Sequence, residues 1–134
     1  LLRRMAEEGA DFTLTFRRLS DADGAHAGHD EQLRALFREP ASFDEWAKQW
    51  RQRLARETRA DSDRKTAMRA VNPAFVLRKH HVYRAYDGIV EGDHSTLDAL
   101  LTVLADPYSD HPGYTEFAQP PAQNEIVRNT FCGT

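Results

Sequence analysis

Residues 71–92, VNPAFVLRKHHVYRAYDGIVEG, carry the clearest punctuation in this chain. An asparagine side chain can accept a hydrogen bond from a free amide in the first turn of a helix. Proline suits the first helical position because its missing N–H would have no partner there. Asn72-Pro73 therefore predicts a helix start. Behind it Val76, Leu77, His80, Tyr83, Ala85 and Ile89 recur at three- and four-residue spacing, as in a helix laid on a core, and Gly92 suits the left-handed turn that closes it. His80 and His81 point about 100° apart on such a helix and cannot chelate one ion together, so one belongs in the core and the other at the surface.

Downstream, Asp93 to Asp98 reads as a further start signal, and Leu97, Leu100, Leu101 and Leu104 form one stripe of a helix ending at Asp106-Pro107. The short link after Gly92 predicts antiparallel packing of the two helices. From Pro107 onward, Pro107, Pro112, Pro120 and Pro121 are set among Tyr108, Tyr114 and Phe117, which predicts an extended tail laying aromatic rings on the helices.

Upstream, LLRRMAEEG should stop at Gly9, and Asp11 should cap a helix whose Phe12, Phe16 and Leu19 share a face. Ser20 to Asp30 is rich in Asp, Gly, Ala and His and reads as loop. His26 and His29 lie there, too few for a convincing metal site without a third ligand close by. Asp30 to Phe37 is a short helix stopped by Pro40, and Ser42 to Glu45 has the form of a capping box opening a long one. Phe43, Trp46, Trp50 and Leu54 make its apolar seam, with Lys48, Arg51, Arg53 and Arg56 in water. Trp46 and Trp50 could stack on a base, but such spacing favours core. The stretch from Arg51 to Arg69 is the most basic of the chain and is diluted by Glu57, Asp61 and Asp63. It reads as a solvated face, or as a docking face for an acidic surface or a phosphate. Asp61 or Ser62 caps a last short helix before Pro73.

These segments add up to an all-α fold, an irregular bundle of about five to seven helices over residues 1–106 with a Pro/aromatic tail over 107–134. At 134 residues the chain has room for one domain. A net charge of −3 exerts no overall pull on nucleic acid or anionic lipid. One cysteine excludes an internal disulfide framework, and no apolar run approaches the ~20 residues that span a bilayer. No signal peptide is read, and the opening LLRRMAEEG suggests a helix already under way, hence a piece of something longer.

VNPAFVLRKHH, ADPYSDHPGY, Pro120-Pro121 and Cys132, third from the end, resemble in order the C-terminal part of the selenoprotein O family. DFTLTFRRLS (residues 11–20) and FDEWAKQWRQRL (residues 43–54) stand upstream in the expected sequence. The resemblance implies a pseudokinase-like parent that transfers AMP from ATP, with magnesium, to hydroxyl side chains of other proteins. It implies a cytoplasmic setting for a bacterial source and a mitochondrial one for a eukaryotic source. The partners it implies are the kinase-like catalytic part of the same protein and the protein substrates. No phosphate-cradling loop, strand lysine or paired metal carboxylates of the kinase type occur in this sequence, so no catalytic, cofactor-binding or metal residue is assigned to it. The exception by resemblance is Cys132, a redox candidate; Gly133 departs from the small hydroxyl residue usual after it. Setting the resemblance aside, the residues also allow a freestanding helical interaction module whose partner docks on the Arg51-to-Arg69 face.

Overall fold

The computed structural model describes residues 1–28 and 30–126, and these divide into two compact units, Leu1–Pro73 and the part from Ala74 onward. The regular secondary structure of the described residues is all helical, with no strand among them. Among the described residues no helix is long and apolar enough to cross a membrane.

In the first unit, α1 (Leu2–Glu8) ends at Gly9, whose φ of 70° lies in the left-handed region, and the Ala10 amide donates to the Met5 carbonyl. Asp11 caps α2 (Phe12–Asp21) by accepting from the Leu14 amide at 2.8 Å. The inner face of α2 differs from the predicted stripe: Leu14, Thr15, Arg17, Leu19 and Ser20 are buried, whereas Phe12 is 62% exposed. Two of these buried residues are hydroxylic. Thr15 donates to the Asp11 carbonyl and Ser20 to the Phe16 carbonyl, so each satisfies itself within the helix. Apolar spacing cannot register a face built that way.

The loop after α2 leads into α3 (Glu31–Arg34), shorter than predicted because the chain tightens into three-residue turns at Leu36 and Phe37. Pro40 does not end that helix; it is the first residue of α4 (Pro40–Leu54), where a proline loses nothing. Ser42 and Glu45 therefore lie inside α4 and do not cap it. Both are engaged by Arg4, through Nη1 to the Ser42 carbonyl at 3.1 Å and Nη2 to Glu45 Oε2 at 3.1 Å. After α5 (Asp61–Arg69), which packs on α2, the core of this unit is Met5, Leu19, Ala22, Leu33, Phe37, Phe43 and Ala47.

The second unit corrects the central expectation. Helix α6 spans Lys79–Glu91 and not the residues directly behind Pro73. Asn72 is occupied elsewhere: its side chain donates to Ser20 Oγ at 3.2 Å, and its carbonyl accepts from Arg17 Nη1 at 3.0 Å. Ala74 and Phe75 turn their amides to the Pro107 carbonyl, at 2.8 and 3.2 Å, which holds them out of helical pairing and sinks both side chains into the core. Gly92, with φ at 83°, closes α6, and Asp93 accepts from the Ser95 amide at 2.8 Å to open α7 (Ser95–Ala105), which packs on α6. Leu100 and Val103 are buried, Leu97 and Leu104 pack partly on them, and Leu101 is 61% exposed. Beyond Pro107 the chain winds into 3-10 helices at Pro112–Ala118 and Gln123–Glu125, and the first lays Phe117 into the core.

Candidate functional site

The basic stretch is where structure changes the sequence reading most. Arg51 sits in the second half of α4, one position past Trp50, and was expected to be wet. Its side chain is instead 12% exposed and its guanidinium reaches Asp30 Oδ2 at 2.8 Å, the Asp23 carbonyl at 3.0 Å and the His26 carbonyl at 3.1 Å. Asp30, 3% exposed, ties the loop before α3 to α4. A pair this deep is desolvated on both sides, so removing either partner would leave the other's charge buried without compensation.

Arg64, from α5, is buried as well. It donates to the Ala22 carbonyl, bonds Asp61 Oδ1 at 2.8 Å and lies over the Trp50 ring at 5.1 Å. Trp50 stacks on Trp46 at 5.7 Å and 16° between planes. Both indoles are half-buried against the first unit's core, so the seam places them as expected, but it is Phe43 and Ala47 that α4 buries fully. Arg53 meets Glu57, Lys65 meets Asp61, and Arg69 meets Asp21. The basic reach is thus largely neutralised within its own unit, which leaves little field for an acidic partner. Asp30 and Arg64 escaped the sequence reading. The Asp61/Arg64 spacing of three was the available signal for Arg64, while the Asp30–Arg51 pair spans a turn no local pattern records.

The Asp30–Arg51 pair lines an open groove of about 760 Å³ together with Ala25, Ala47, Lys48, Arg34 and Asp44. Arg34 and Asp44 bond each other at 3.0 Å. On the neighbouring loop, the amides of Ala25 and His26 donate to Asp23 and hold its carboxyl at about 2. His26 is exposed, with Nδ1 3.4 Å from the same carboxylate. His29 and Cys132 lie outside the described residues, and among those that are described no three His, Cys, Asp or Glu side chains gather as for a metal ion.

On α6 the core histidine is His81, not the His80 of the predicted stripe. His81 is 3% exposed, its ring 3.9 Å from that of His80 and 4.9 Å from that of Phe117, and among the described residues neither ring nitrogen has a hydrogen-bond partner. Burial, with His80 and Arg84 adding positive charge close by, lowers it to about 4, so it is neutral at physiological pH. His111 caps the turn after α7 by pairing with the Asp106 carbonyl at 3.0 Å.

No family model matches the chain. Over its whole length it is 50% identical to proteins named protein nucleotidyltransferase YdiU from Rhizobium johnstonii and Bradyrhizobium diazoefficiens, and 49% identical to the one from Rhodopseudomonas palustris. In each case the chain spans 27% of the relative's length.

Proposed function

We propose that this chain, a relative along its full length of the protein nucleotidyltransferases of the selenoprotein O family, is the C-terminal helical region of an enzyme that transfers AMP from ATP to hydroxyl side chains of other proteins. The observation that carries the reading is an identity of about half over the whole length of the chain, against relatives of which it spans about a quarter. ATP and magnesium are the cofactors of that parent. At the groove beside α4 the two lining carboxylates, Asp30 and Asp44, are each paired with an arginine at 2.8 and 3.0 Å, which argues against a magnesium site there. In this reading the nucleotide and metal sites lie in the parent outside this chain.

Cys132, third from the end, is the one residue here with a chemical role in this reading. Its thiol forms a reversible disulfide with a cysteine elsewhere in the same protein, two thiols giving up two electrons and two protons to a disulfide oxidant such as oxidised glutathione.

The test of the function is AMP transfer by the purified full-length protein supplied with magnesium and ATP labelled on the α-phosphate. Label resistant to denaturation on Ser, Thr or Tyr of an acceptor protein is expected. Release of label as free nucleotide, with none on protein across a proteome-wide acceptor mixture, would overturn the proposal.

A further inference from the structure

Helix α6 turns a histidine and small residues to the core and its large apolar ones to the outside. Inward lie His81 and Ala85, both buried, while Gly88 comes so close to the following turn that a Cβ there would stand 2.8 Å from the Asp93 carbonyl. At 100° per residue Val82, Tyr83, Tyr86, Ile89 and Val90 fall within an arc of about 120° on the opposite side. Their exposures are 43%, 44%, 65%, 41% and 70%. Single exposed apolar residues need no explanation; five contiguous ones along a little over two turns form a patch of the size that on a monomer often marks a functional surface. A surface helix normally turns its wider apolar arc to a core, and α6 does the reverse.

We infer that this stripe of α6 docks onto the remainder of the same protein, the polypeptide that the relatives carry outside the segment matched by this chain. The inference rests on the reading of the chain as part of a longer enzyme. Two arguments select this occupant over a second copy. The chain accounts for 27% of each relative, so a much larger body is tethered to it and meets the stripe at high effective concentration. The stripe is also small: Val82 to Val90 covers about 12 Å of helix and offers on the order of 300 Å², well under the ~800 Å² per partner of a stable dimer. A tethered surface needs far less area than a free one, because the translational cost of association is already met by the chain.

The full-length protein tests this in two readouts. Hydroxyl-radical footprinting, scored by mass spectrometry at Tyr83 and Tyr86, should show at least a five-fold slower reaction than in the urea-unfolded protein, equal at low and high protein concentration. A photoreactive p-benzoylphenylalanine in place of Tyr86 should cross-link within one polypeptide, to residues outside this 134-residue segment. Unfolded-like reactivity at both tyrosines overturns the inference. Protection that rises with protein concentration, with cross-links joining two polypeptides, overturns it in favour of a second copy, and cross-links confined to the segment itself overturn it too. Neither readout uses AMP transfer. A protein that protects Tyr86 without transferring AMP loses the proposed function and keeps this interface; one that transfers AMP with Tyr86 bare does the opposite.

Discussion

Two buried ionisable side chains set measurable expectations. His81 is neutral in the fold and takes a proton only near pH 4, whereas in the unfolded chain it does so near 6.5. Between those values the unfolded state binds more protons, so stability rises with pH from about 4 to 6.5 and is level above. The contribution is at most about 3 kcal/mol. A His81→Leu protein should show a flatter dependence of urea midpoint on pH across that window, and an unchanged slope would refute the assignment. Asp30 is the second case. Removing it as Asp30→Ala strands the Arg51 guanidinium, 12% exposed, without its charge partner, and should cost about 3 kcal/mol by chemical denaturation. Arg53→Ala, at an exposed pair with Glu57, should cost less than about 1 kcal/mol in the same assay.

At the level of elements, burial ranks the α4 seam differently from side-chain size. Phe43 is fully buried while Trp46 and Trp50 are half-buried against the same core. Phe43→Ala should therefore cost about 3–5 kcal/mol and Trp46→Ala clearly less, although tryptophan is the larger residue. Equal losses in thermal melts would contradict that order. Gly88 offers a contest between two effects. Alanine is favoured over glycine inside a helix by about 1 kcal/mol, yet its Cβ would sit 2.8 Å from the backbone oxygen of Asp93, which cannot swing aside. Overpacking costs about 1–3 kcal/mol, so Gly88→Ala should destabilise; a higher melting temperature would mean the turn yields.

For the whole molecule, Cys132 supplies the sharpest expectation. In the full-length protein treated with oxidised glutathione, non-reducing mass spectrometry should find Cys132 joined to another cysteine of the same polypeptide, and Cys132→Ser should remove the response of AMP transfer to reductant. Free Cys132 after oxidation, with activity indifferent to reductant in both proteins, would leave the thiol without a role. Much of the organisation was legible beforehand for local reasons. Gly9 and Gly92 end helices because their left-handed φ is a property of one residue, and Asp11 caps because its acceptor reaches an amide three residues on.

The sequence by itself determined the all-α class, the order of the helices, most of their ends and the kinship to the nucleotidyltransferases, since each depends on residues close in the chain or on order along it. Tertiary structure decided the rest, through partners distant in sequence. Asn72 left the helix start it signals because Ser20 and Arg17, more than fifty residues away, take its polar groups. Arg51 and Arg64 left the solvent because Asp30 and the Ala22 carbonyl offered them buried partners. The apolar side of α6 faces outward because His81, Ala85 and a close turn at Gly88 already fill the space on its inner side, a competition for room that residue spacing alone does not record.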